Sequence, residues 1–150
     1  MKSPAKQKGR DFGIMLACLN NLGYGVEWRV INAAEYGLQQ RRRRVFIFAF
    51  RNTTKYFKNY SLGTFFKDKF PAIDVEDTKK SIRISNDLVD ITKNFQFIFE
   101  NSGCMIDGII TTIKCTPIYT GKETKLFDIL EDKVDEKYIL TDEKYNKLNI

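Results

Sequence analysis

Residues 36–50 read Tyr-Gly-Leu-Gln-Gln-Arg-Arg-Arg-Arg-Val-Phe-Ile-Phe-Ala-Phe, so Arg41, Arg42, Arg43 and Arg44 run directly into six apolar residues. An unbroken apolar run of that length reads as a strand covered on both faces. Charge runs normally stay solvated in loops or tails, and this one meets a segment that favours burial. Extending the two-residue period of the strand backward places Gln40, Arg42 and Arg44 on one face and Arg41 and Arg43 on the other. Two readings of the cluster follow from the residues alone. Arginines at a strand end block edge-to-edge association or pair with acidic residues elsewhere. Alternatively, their rigid forks contact the phosphates or base edges of a nucleic acid.

Upstream of this stretch, Phe12, Leu16, Leu19 and Leu22 recur at helical spacing. Asp11 is the expected N-cap and Gly23 the expected C-terminal stop. After Gly25 the period becomes two: Val26, Trp28 and Val30 alternate with Glu27, Arg29 and Ile31, a strand expected to be covered on one side. Asn32 to Gln40 reads as a connection, and a second strand is expected from about Arg44 to Phe50. Downstream, Asn94 to Glu100 alternates Phe95, Phe97 and Phe99. The Ile/Thr-rich run from Cys104 to Tyr119 suggests a hairpin turned at Asn101-Ser102-Gly103. Thr124 is placed to cap a short helix over Leu126 to Glu131, and Thr141 another over Asp142 to Leu148. Residues 51–90 show little periodicity, and Met1 to Arg10 reads as a flexible basic entry.

The chain has 150 residues and 43% hydrophobic content, enough for one domain with a core. No apolar run is long enough to span a bilayer as a helix, which points to a cytoplasmic protein. There is no histidine, and Cys18, Cys104 and Cys115 lack metal-ligand spacing, so neither a metal site nor histidine acid–base chemistry is expected. Residues 1–60 hold 12 basic and 3 acidic side chains, whereas residues 61–150 hold 13 and 16. A basic first part suggests a polyanionic partner.

Gly9-Arg10-Asp11-Phe12, Leu22-Gly23-Tyr24, Ile31-Asn32-Ala33-Ala34-Glu35-Tyr36-Gly37 and Gln40 to Ile47 resemble, in order and spacing, one stretch of the DNA (cytosine-5) methyltransferases of bacterial and phage type. That stretch runs from just after the family's Glu-Asn-Val motif through its Gln-x-Arg-x-Arg motif. Leu126 to Leu140 resembles a segment that bacterial members carry after it. The resemblance implies an α/β fold: a partial Rossmann-like sheet of the S-adenosylmethionine-dependent kind, followed by a mixed α+β segment. It implies residues 1–51 as the C-terminal part of the catalytic domain, and residues 52–150 as an insertion and the start of target recognition.

By the same resemblance, Gln40, Arg42 and Arg44 occupy the catalytic motif beside a flipped cytosine and its phosphate. Arg41 and Arg43 fall at variable positions, as supporting DNA-binding charge. No cysteine stands in the family's Pro-Cys-Gln context, and Glu100-Asn101, read here as a turn, is followed by Ser102 rather than valine. The glycine-rich loop for S-adenosylmethionine has no counterpart either. The expectation is a C-terminal portion of a methyltransferase that does not bind the cofactor and is inactive alone. It would act on double-stranded DNA in the nucleoid-associated cytoplasm, with a polypeptide carrying the other half. The alternative is a non-catalytic DNA-binding remnant making salt-dependent phosphate contacts.

Overall fold

The computed structural model describes residues 6–60 and 64–146. Met1 to Ala5 of the expected entry, and the end of the helix expected to reach Leu148, lie outside these residues. Helix α1 (Arg10–Asn21) starts one residue before the expected cap. Gly9, left-handed at φ 80°, holds the N-cap position, and Asp11 instead sits in the first turn, 3.1 Å from Arg10. Phe97 N–H donates to Lys8 C=O at 3.0 Å, which docks this entry on the phenylalanine segment. Leu16 and Ala17 are fully buried, but Leu22 is exposed, because the helix has already ended there and Gly23 turns the chain away.

Strands β1 (Tyr24–Asn32) and β2 (Arg43–Arg51) form an antiparallel hairpin, paired from Tyr24 with Arg51 to Asn32 with Arg43. Residues 51–90, barely legible in sequence, supply α2 (Lys55–Lys58), α3 (Thr64–Lys69), β3 (Ala72–Arg83) and α4 (Leu88–Asn94). Strands β4 (Ser102–Ile106) and β5 (Ile109–Pro117) complete a five-stranded sheet in the order β2-β1-β4-β5-β3, with every pairing antiparallel. The α/β class is thus present, with helices on both faces of an antiparallel sheet.

The expected hairpin is displaced. Its turn is Asp107-Gly108, both at positive φ (48° and 73°), the backbone that a two-residue hairpin needs and that Asp-Gly favours. Asn101 enters the sheet instead of turning. Its backbone oxygen accepts from Val30 N–H at 2.7 Å, and its side-chain amide pairs with both Cys115 C=O and Cys115 N–H, each at 2.7 Å. Asn94 to Glu100 is not a strand beyond the end of α4. Its alternation serves packing: Phe95, Phe97 and Phe99 join Leu16, Trp28 and Met105 in the core between α1, α4 and the sheet. After β5 the chain has a one-turn helix at Leu126–Asp128 and α5 (Asp142–Asn146), with Phe127, Ile129, Tyr138 and Leu140 exposed.

The side of β1 expected to face solvent is buried. Glu27 and Arg29 are each 1% exposed beneath α2 and α3. Glu27 accepts from Phe65 N–H at 3.3 Å and Phe66 N–H at 3.1 Å, so it closes the start of α3, and Arg29 Nη1 donates to Phe70 C=O at 2.6 Å. Burial raises the Glu27 pKa above the ordinary carboxylate value, against the lowering pull of Phe66 N–H, Tyr60, Phe65 N–H and Arg29. Between the ordinary value and the raised one, the folded chain holds a proton that the unfolded chain has released. Glu27's contribution to stability is greatest below the ordinary value and declines as pH rises through the raised one. Glu27→Gln keeps the neutral charge throughout. Its stability relative to wild type is expected to rise as pH increases above about 4.5, as read from urea midpoints. A relative stability that falls as pH is raised from there contradicts this.

Candidate nucleic-acid interface

The arginine run is held at the open end of the β1–β2 hairpin by its own connection. Ala33–Tyr36 forms one 3-10 turn, and Leu38 N–H returns to Ala33 C=O at 3.2 Å. Gly37 follows at φ 79°, a backbone that other L-residues rarely adopt, and a Cβ there would stand 2.4 Å from the Tyr119 ring. Glycine is therefore required twice over. The downstream chain clasps this connection: Thr124 N–H donates to Gly37 C=O at 3.3 Å, and the Gln39 amide donates to Lys125 C=O. Ala33 N–H donates to Arg42 C=O at 3.1 Å just before the strand pairing begins.

Within this frame Arg44 pairs across the sheet with Ile31, and Arg43 with Asn32. Arg44 shares its face with Phe46 and Phe48, and Arg43 shares the other with Val45 and Ile47. Arg42 and Arg44 come together on the wall of a cavity of about 490 Å³, which Tyr36, Leu38, Phe46 and Phe70 also line. Gln40 is not part of that lining. Arg42 N–H bonds back to Gln40 C=O at 2.9 Å, and this tight turn breaks the strand alternation before it reaches Gln40. Arg41 and Arg43 are exposed.

Among the described residues no acidic side chain forms an ion pair with any of the four arginines; the only hydrogen bond from their guanidinium groups is Arg44 Nη1 to Arg43 C=O at 2.9 Å. Pairing with the acidic later chain is not observed. Edge protection keeps one observation in its favour, since β2 is an outer strand of this sheet. Four guanidinium groups with no acidic partner among the described residues make the hairpin end electropositive, and the aromatic floor beside two of them offers a surface for a planar group.

Sequence reasoning does not single out Phe70 or Tyr36. Tyr36 stands in plain view in the quoted stretch. For Phe70 the signal is Pro71, which marks the end of α3. Cys104 and Cys115 are buried; burial pushes the Cys104 thiol up to about 11 and raises Cys115, while Cys18 is half-buried in α1. Such buried thiols are poorly disposed to ionise. Across the sheet, a second cavity of about 460 Å³ is lined mainly by apolar side chains, among them Phe12, Met15, Trp28, Val45 and Ile47.

Among the described residues, the turns before α2 (Asn52 to Thr54) and before α4 (Ile84 to Asp87) contain no glycine to let backbone approach a cofactor. Among the described residues no group of three or more His, Cys, Asp or Glu side chains is placed to hold a metal, and no helix is long and apolar enough to cross a membrane.

Known proteins resemble the chain along most of its length. The chain is 45% identical to the type II methyltransferase M.Sau3AI of Staphylococcus aureus over 159 aligned positions, covering 98% of this chain and 38% of that protein. It is 26% identical to the orphan methyltransferase M.SPBetaI of Bacillus phage SPbeta over 140 positions, covering 93% of this chain and 26% of that protein. A shorter match, 39% over 46 positions, links 31% of the chain to 11% of the type II methyltransferase M.NlaIV of Neisseria lactamica. The chain thus spans well under half the length of these relatives. No solved structure matches. The family model for C-5 cytosine-specific DNA methylase matches residues 4–150, and the chain belongs to that family.

Proposed function

We propose that this chain is the part of a DNA cytosine-5 methyltransferase that presents Gln40, Arg42 and Arg44 to a flipped cytosine and its phosphate, with Arg41 and Arg43 adding phosphate-directed charge. The observation that carries this reading is the pair of exposed arginines, Arg42 and Arg44, with no acidic partner among the described residues, converging on one aromatic-floored cavity. In the complete enzyme S-adenosylmethionine would supply the methyl group, held by residues outside this chain. The nucleophilic cysteine would also come from elsewhere, since the three cysteines here are covered or half-covered.

The chemistry assigns the arginines two tasks. Thiolate attack on C6 of cytosine pushes electron density into the ring toward O2 and N3. A guanidinium already fixed at the O2 edge, the role given to Arg44, stabilises that charge without reorganising. Arg42 holds the adjacent phosphate of a backbone distorted by expulsion of the base from the stack. Rigidity comes from the hairpin below, whose last paired residues are Asn32 and Arg43.

Strand β2 supports the idea of a larger, Rossmann-like sheet. Val45, Phe46 and Ile47 are 55%, 45% and 43% exposed, on both faces of a strand with one unpaired edge. Apolar character on both faces belongs to an inner strand. A polypeptide carrying the nucleophile would pair with that edge and cover those side chains. The division at residue 51 is then one of function, because β1 on one side of it pairs with β4 on the other.

A labelled-methyl transfer assay on double-stranded DNA tests the proposal. The chain alone is expected to give no turnover. Supplied with the part of the Staphylococcus aureus relative outside the matched stretch, it is expected to transfer methyl groups. Arg44→Ala should lower that rate by about 100-fold or more. Turnover by the isolated chain, or full activity of the reconstituted Arg44→Ala form, contradicts the reading. The DNA-binding remnant is the outcome in which the chain binds DNA and never supports transfer.

A further inference from the structure

We propose that Phe70 is a stacking wall for an unstacked nucleobase of the DNA strand that Arg42 holds by a phosphate and Arg44 meets at a base edge. This rests on the DNA-binding reading above and adds to it a residue from a segment that showed little periodicity in sequence. Cations and exposed aromatic rings in one concave surface are the combination that binds single-stranded nucleic acid. The guanidinium groups take phosphates, and the ring faces take bases of any identity. A purely apolar ligand would leave the two arginines without a function there. A free inorganic anion would leave the aromatic floor without one.

Phe70 differs from an ordinary core ring in how it is held. Its backbone N–H donates to Phe66 C=O at 2.7 Å, and its own carbonyl accepts from Arg29 Nη1 at 2.6 Å. The next carbonyl, of Pro71, accepts from Tyr36 O–H at 3.3 Å and from Ile118 N–H at 2.9 Å. Arg29 is 1% exposed and forms no ion pair among the described residues, so a costly buried guanidinium is committed to one loop carbonyl. The ring itself is braced edge-on by Tyr36, centroids 5.4 Å apart, and lies 30° from the plane of Phe46 at 6.3 Å. It nevertheless stays partly exposed and lines the cavity with Arg42 and Arg44. An aromatic face is thus fixed in place, partly open to solvent, beside two cations that have no acidic partner among the described residues. Such a surface loses little conformational freedom on binding a base.

The test compares two single-stranded oligodeoxynucleotides of equal length, one with bases and one abasic, binding to the full 150-residue chain by fluorescence anisotropy. Wild type is expected to favour the base-bearing strand by about tenfold. Phe70→Leu should remove most of that preference while leaving the dependence on salt unchanged, and Phe70→Tyr, which keeps a ring face, should retain it. Arg42→Ala with Arg44→Ala should weaken both strands and flatten the salt dependence. Equal wild-type affinity for the two strands overturns the proposal without recourse to any variant. So does an undiminished preference in Phe70→Leu. If the double arginine variant binds both strands as wild type does, the DNA-binding reading itself fails, and that outcome is distinct from loss of base preference alone.

Discussion

Trp28→Ala is expected to bring the chain to the edge of unfolding. Trp28 lies at the centre of β1, 1% exposed, with Phe12 edge-on at 5.2 Å and Phe99 at 5.7 Å. Gly103 on the neighbouring strand is bare because a Cβ there would stand 2.3 Å from the indole, so the sheet itself is shaped around this ring. Truncation removes the anchor that joins α1, the phenylalanine segment and two strands. The expected loss is about 3–5 kcal/mol, a large part of the total stability of about 5–15 kcal/mol for a domain this size. Urea denaturation followed by far-UV circular dichroism measures it. Trp28→Phe, which keeps an aromatic ring, should lose markedly less. A Trp28→Ala chain as stable as wild type would mean that this face is not the core.

Replacing Arg42 and Arg44 together by alanine should weaken DNA binding with little effect on the fold. Both side chains are exposed, and neither has an acidic partner among the described residues. The thermal midpoint is therefore expected to stay near that of wild type. Removing one arginine from a phosphate reduces the steepness of log K against log salt by about 0.9, so loss of the Arg42 contact should reduce it by about that much, with loss of Arg44 from the base edge adding to the fall in affinity. Anisotropy titrations on duplex DNA across a salt series read the slope directly. An unchanged slope would return the cluster to edge protection at β2. Arg41→Ala with Arg43→Ala serves as the comparison, with weaker affinity but an intact base preference.

Much of the first third of the chain is legible because its signals are local. Helical spacing marks α1, Gly23 marks its end, and alternation followed by an apolar run marks the β1–β2 hairpin. Where the reading fails, a distant segment has changed the environment. Glu27 and Arg29 alternate as a solvent-facing row should, yet both are buried, because α2 and residues 64–71 fold over them and the latter supply backbone partners. The phenylalanines at 95, 97 and 99 alternate like a strand, but they pack against α1 from an irregular segment. Asp107-Gly108 is a hairpin signal present in the sequence, outweighed there by the Asn101 to Gly103 run that precedes the Ile/Thr-rich stretch.

The candidate site divides in the same way. Arginines in a Gln-x-Arg-x-Arg pattern at the start of a strand are decided by residue order alone, since two-residue periodicity carries Arg42 and Arg44 to one side. The wall opposite them is not. Phe70 is 26 residues from Arg44 along the chain and reaches the cavity only because Arg29 and Tyr36 hold the Phe70-Pro71 backbone. By itself the sequence determined the hairpin, the arginine alternation and the family. Tertiary structure alone decided which polar residues are buried and which aromatic ring faces the arginines. Backbone periodicity is a local property, whereas burial depends on which remote segment arrives to cover a face.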